Sequence, residues 1–207
     1  MRTFTIALLV ALAARAAAAQ EPDTARHRGA DRLKFLGGAT LAFASHESGH
    51  LGFDVLFDAG PHITPVHFGP IPFFSISHHK ELPRAQLYAT TAAGFWIQAA
   101  TNEWILSRHP RLRDEHRPML KGAVMFNVLM PAGYALAGAF GIGPPERDPR
   151  TMAEAARVRA PVACLFVFVP AVLDGYRYLH PGARWPVWVS RAFKLGSVAL
   201  TLHATSR

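Results

Sequence analysis

The sequence contains a single cysteine, Cys164, among its 207 residues. One cysteine excludes an internal disulfide, and it also excludes a zinc site built from several cysteines. Any metal site must therefore use His, Asp or Glu side chains. Cys164 lies in the apolar stretch Val162–Val169, where a small apolar helix residue is the simplest interpretation.

Acidic residues are also few: 14 Asp and Glu stand against 22 Lys and Arg, which gives a formal net charge of +8. A basic chain can bind nucleic acid, but no aromatic and basic recognition motif of that kind is present. The arginines instead cluster in short segments between apolar runs, where they can flank membrane spans and meet anionic lipid. The sequence therefore predicts a lipid bilayer as partner, and no nucleic acid.

Long apolar runs organise the chain, half of which is hydrophobic. A weaker last run, Pro186–Ala204, contains Arg191 and Lys194, so it can lie at the membrane interface or span. We expect an all-α, polytopic membrane bundle of four to five apolar helices, forming one domain over residues 35–207, with a soluble helical bundle as the alternative. The four stronger runs each have about the 20 residues that cross a bilayer: Phe35–Phe57, Ala85–Ser107, Met119–Gly141 and Arg159–Leu179.

Residues 1–19, MRTFTIALLVALAARAAAA, have the pattern of a secretory signal peptide that is cleaved before Gln20 or retained as an anchor. A polar segment, 20–34, follows. The signal and the apolar runs together predict an integral protein of a bacterial-type inner membrane. Two orientation signals conflict, however, because a cleaved signal places the loop Ser107–Lys121 outside, whereas its five basic residues predict a cytoplasmic loop.

The stretch His46-Glu47-Ser48-Gly49-His50 is an H-E-x-x-H motif inside the first apolar run. Histidines four apart lie on one helix face and can bind one zinc ion, and the glutamate between them can act as general base. Ionisable groups in a membrane segment are costly and usually functional. The motif therefore predicts metal-assisted hydrolysis.

Catalytic zinc needs a third protein ligand and an open position for water. Asp174, near the end of the fourth run, is one candidate, and Glu103, in the second run, is another. A third is the segment between the first two runs, which contains four histidines: His62, His67, His78 and His79.

One further residue and one segment have candidate supporting roles around these ligands. Asp54 is four residues after His50 and could hydrogen-bond its imidazole. The segment from His62 to His79 could supply an edge with which an extended substrate pairs.

The combination of HESGH, the helix residues Gly94 and Asn102, and the late Leu173-Asp174-Gly175 resembles the site-2 protease family of intramembrane zinc metalloproteases. The resemblance covers residues 35–175. It implies zinc on His46, His50 and Asp174, a water activated by Glu47, and Asn102 near the substrate strand.

Three functions follow as hypotheses. The first is a membrane-embedded zinc metalloprotease that hydrolyses peptide bonds of membrane-associated substrates. The second is a non-catalytic polytopic membrane protein in which His46 and His50 hold a structural metal or line a polar seam. The third is a soluble secreted zinc peptidase with Glu103 as third ligand.

Overall fold

A computed structural model of the chain describes residues 25–68, 71–140 and 148–205. The predicted signal peptide, 1–19, lies outside these residues. Within them there are six helices, one β-hairpin and a short 3-10 turn, Leu112–Asp114. The elements are α1 (Ala25–Leu56), β1 (Pro61–Phe68), β2 (Ile71–His78), α2 (Arg84–Arg108), α3 (Pro118–Ala139), α4 (Asp148–Ala156), α5 (Ala160–Leu179) and α6 (Trp185–Thr205).

The predicted all-α class is confirmed, and the five apolar runs correspond to α1, α2, α3, α5 and α6. Proline occupies the first turn of α3 and of α5, where its missing N–H leaves no unpaired donor. Two differences from expectation concern the helices. The polar segment 20–34 is helical from Ala25, because charged and small residues there favour helix. The loop after α3 contains the short helix α4.

Helix α2 is the central element of the bundle. Its buried residues run from Tyr88 to Leu106, and it packs against each of the other helices. The larger apolar core surrounds Tyr88, Phe95 and Met152, where α2, α4 and α5 meet. Many core residues are alanines, and such small side chains let helix backbones approach closely.

The segment between α1 and α2 forms an antiparallel hairpin in which Ile63 of β1 is opposite Ile76 of β2. The sequence pattern did not predict strands here, because prolines interrupt both of them. A two-stranded sheet tolerates these prolines, since each strand has one edge without a partner strand. The hairpin packs along α1.

Glycines set the crossing of α1 and α3. A Cβ added at Gly38 would overlap the carbonyl of Met119, and one added at Gly122 would overlap the carbonyl of Phe35. The two helices therefore approach with backbone in contact with backbone, which larger residues would prevent.

The bundle has one strongly basic end, where the start of α1 and α3, the end of α2 and α5 and the start of α6 meet. Contacts that join them include Asp31 with His116 and Arg113 with the carbonyl of Leu179. Among the described side chains, residues 28–34, 103–121 and 174–194 contain twelve Lys and Arg and five Asp and Glu, a net charge of +7. We call this the basic end.

The opposite end carries the β-hairpin and α4, and we call it the hairpin end. Its described charged residues, in 47–58, 80–84 and 148–159, are five Lys and Arg and six Asp and Glu, a net charge of −1. The excess of positive charge therefore belongs to one end only.

Two of the predicted spans, α3 and α5, are long and apolar enough to cross a membrane. Buried residues make up only 28% and 39% of their most apolar windows, so most of these residues are at least partly exposed. The count of four to five spans remains a prediction, since polar residues in α1, α2 and α6 lower their hydropathy.

Candidate metal centre

Two histidines of α1, His46 and His50, form the centre of the site. Their spacing of four puts both rings on one helix face, which packs against α2. Both residues are buried, since His46 is only 3% exposed and His50 only 5%. His50 Nε2 lies 3.2 Å from His46 Nε2.

The other ring nitrogen of each histidine is held by α2. His50 Nδ1 lies 2.8 Å from the carbonyl oxygen of Thr90, and His46 Nδ1 lies 3.1 Å from Oε1 of Gln98. Because both partners are acceptors, each Nδ1 carries the proton and donates it. The two Nε2 atoms therefore present lone pairs to the same space, an arrangement that a cation stabilises.

Asp148, the first residue of α4, completes the group. Its Oδ2 lies 3.7 Å from His46 Nε2 and 3.8 Å from His50 Nε2. The three ligand atoms lie within 4.8 Å of one another, and no second group of this kind occurs in the described ranges. The Asp148 side chain is 27% exposed, so the site is accessible on the α4 side.

This donor set could hold a metal ion. In a tetrahedral zinc site with bonds of about 2.0–2.1 Å, neighbouring ligand atoms lie about 3.3 Å apart. The two imidazole nitrogens already have this separation, and the carboxylate is about 0.5 Å farther out. Two histidines and one carboxylate also leave the fourth position open, as in catalytic zinc sites.

The charge of Asp148 is favoured by the same neighbours. Burial raises the pKa of its carboxyl group, but His50 and His46, when they carry a proton on Nε2, lower it further than burial raises it. The resulting pKa lies below the usual value, so the group is a carboxylate at neutral pH. A charged carboxylate is the form that binds metal.

Glu47 lies beside the histidines and is 8% exposed. Its Oε2 accepts a hydrogen bond of 2.9 Å from the backbone N–H of Ile76 in β2. This bond orients the carboxylate and also ties the hairpin to α1. Glu47 interacts electrostatically with His46, His50 and Asp148, but it is not itself a member of this metal group.

Glycine makes room for the His46 ring. A Cβ at Gly94 of α2 would lie 2.5 to 2.7 Å from three ring atoms of His46. We expect Gly94→Ala to displace the ring and to weaken metal binding by about 10–100-fold, as loss of a supporting contact does. Competition with a chromophoric chelator would measure this. Gly52→Ala is the control, because nothing lies within 4 Å of a Cβ there; equal affinities in the two variants would contradict the prediction.

The two acids predicted as third ligand, Asp174 and Glu103, lie elsewhere. Lys194 Nζ lies 2.9 Å from Asp174 Oδ2 and 3.1 Å from Glu103 Oε2, and Arg177 donates to both acids. The reason is helix direction. Because α5 runs from the hairpin end to the basic end, its last turns are far from the half of α1 that carries the histidines. Asp148 takes the position beside them.

Asp54 and Asn102, predicted as supporting or substrate-contacting residues, have other partners. Asp54 is fully buried with Oδ1 3.2 Å from Nδ1 of His78, while the carbonyl of Thr90 takes the place beside His50. Asn102 accepts a hydrogen bond of 3.1 Å from Asn127 inside the bundle. Asn102 therefore joins α2 to α3 rather than contacting the metal group.

Sequence reasoning missed Asp148, Gln98 and Thr90. A usable signal existed for Asp148, because Asp148-Pro149 after a glycine- and proline-rich stretch is typical of a helix start. No local pattern connects it to His46, however, since the two are far apart in the chain. No family model, curated protein or solved structure matches this chain.

Proposed function

We propose that this protein is a membrane-embedded zinc metalloprotease that hydrolyses peptide bonds of membrane-associated substrates. The observation that carries the proposal is the convergence of two buried imidazole Nε2 atoms and the Asp148 carboxylate, with Glu47 next to them. The resemblance of HESGH to the site-2 protease motif points to the same chemistry.

Zinc bound to this group would supply Lewis-acid activation of a water molecule and of the scissile carbonyl. Gln98 and the carbonyl of Thr90 fix the two imidazoles, so that Nε2 faces the metal position. Glu47 takes the proton from the attacking water and passes it to the leaving amine. The low exposure of Glu47 and both histidines keeps these three side chains largely out of contact with bulk water.

The hairpin is suited to present the substrate. Glu47 contacts β2 at Ile76, so a peptide that pairs with the hairpin edge would lie close to the base. Pairing also extends the peptide, which exposes carbonyl groups that a helix would shield. This role agrees with the substrate edge expected of the His62–His79 segment.

A second candidate function is a non-catalytic membrane protein with a structural metal at His46 and His50. The observation that favours it is the hydrogen bond from Ile76 to Glu47, since this bond gives the glutamate a reason to be present that involves no catalysis. The third hypothesis, with Glu103 as ligand, is less favoured because three basic side chains already neutralise that carboxylate.

The test is metal-dependent hydrolysis by the purified protein in detergent. We expect one metal ion per chain, cleavage of an unstructured fluorogenic peptide, loss of cleavage after chelation and recovery with added zinc. The same chelation and zinc addition with His46→Ala, which removes a ligand, should give no recovery. A zinc-loaded protein that cleaves no peptide or membrane-protein substrate would refute the catalytic proposal and favour the structural metal.

A further inference from the structure

The tertiary structure separates charge along the bundle in a way that single loops do not reveal. The basic end combines segments from five helices and has a net charge of +7, whereas the hairpin end has −1. Basic residues alone decide membrane orientation. The basic end has twelve of them and the hairpin end has five. The metal group lies at the hairpin end, because Asp148 is the first residue of α4 and α4 is part of that end.

The exposed tryptophans have the same distribution. Trp104, Trp185 and Trp188 are 56%, 56% and 70% exposed, and all three lie at the basic end. Arg191 lies over the ring of Trp188, with 5.5 Å from its guanidinium carbon to the ring centroid. Tryptophan is enriched where hydrocarbon meets headgroups, and arginine beside it can bind lipid phosphate.

We infer that the basic end docks against the anionic headgroups of the cytoplasmic leaflet, and that the metal group opens towards the opposite compartment. The inference rests on the membrane placement in the proposed function and adds the side on which the substrate must enter. Charge complementarity selects the occupant, since anionic lipid is concentrated in the cytoplasmic leaflet. It also favours a cytoplasmic position of the loop Ser107–Lys121, which the basic residues of that loop indicate. A cleaved signal would instead give the loop an exported position.

The single native cysteine makes a direct test feasible. Cys164 is buried, and Cys164→Ser gives a background without thiols. One new cysteine is placed at each end, at the exposed positions Arg111 (basic end) and Glu81 (hairpin end). Spheroplasts of a bacterial host are treated with a membrane-impermeant maleimide before and after permeabilisation.

We expect Glu81→Cys to be labelled in sealed spheroplasts and Arg111→Cys only after permeabilisation, with at least a tenfold difference in extent. A second pair, Glu154→Cys and Arg184→Cys, lies at the same two ends and guards against a local folding defect. Labelling of the basic-end cysteines in sealed spheroplasts, or protection of the hairpin-end cysteines, would overturn the inference.

Peptide hydrolysis by the detergent-purified protein is independent of orientation. Reversed labelling with intact hydrolysis therefore refutes the orientation and leaves the proposed function standing. The expected labelling without any hydrolysis refutes the proposed catalytic function and leaves the orientation standing.

Discussion

Glu47→Gln is expected to lower kcat for peptide hydrolysis by about 10²–10⁴-fold while the protein retains its metal, because that factor is typical of a general base. The substitution is informative because it separates two roles of Glu47, proton acceptor in hydrolysis and hydrogen-bond acceptor for the hairpin. Its Oε2 accepts the N–H of Ile76, and a glutamine oxygen can accept the same bond. The hairpin therefore stays attached, and only the ability to take a proton is removed.

Three measurements make the result decisive: kcat, bound metal and the thermal unfolding midpoint. Glu81→Gln is the matched control, since it removes an exposed carboxylate at the same end of the bundle. Unchanged hydrolysis with bound metal would exclude Glu47 as the base. Loss of metal or of stability together with hydrolysis would instead assign it a structural role, as the second candidate function requires.

Asp148→Asn is expected to weaken zinc binding by more than the 10–100-fold that loss of a supporting contact causes, because a charged ligand becomes a neutral amide. Its Oδ2 is the carboxylate oxygen near both Nε2 atoms. The matched comparison is Asp174→Asn, the acid that the family resemblance implies as ligand. We expect Asp174→Asn to keep zinc affinity within about threefold, a change smaller than the loss of a supporting contact produces.

The cost of Asp174→Asn should appear in stability instead. Asp174 is 1% exposed and is held by Arg177, Ser190 and Lys194, so the neutral amide leaves the buried Arg177 and the partly buried Lys194 poorly compensated. A loss on the order of 3 kcal/mol of unfolding free energy is typical of one broken buried pair. Zinc titration and thermal unfolding of both variants measure the two effects. Zinc loss in Asp174→Asn with normal binding in Asp148→Asn would reverse the assignment.

The sequence by itself determined the five apolar helices and the histidine pair, because both depend on neighbours within a few residues. Apolar runs such as Met119–Gly141 locate α3, and the four-residue spacing of His46 and His50 puts both rings on one face. That a bound metal must lack cysteine ligands also followed from composition alone. These conclusions depend on helix periodicity and residue chemistry.

Only the tertiary structure decided what surrounds the pair. Which acid lies beside the histidines depends on the direction of α5 and on the placement of α4, so Asp148 is brought near and Asp174 is carried to the basic end. The hairpin depends on pairing between two strands that each contain proline. Charge separation between the two ends likewise arises from five helices meeting, because packing joins segments that no local pattern connects.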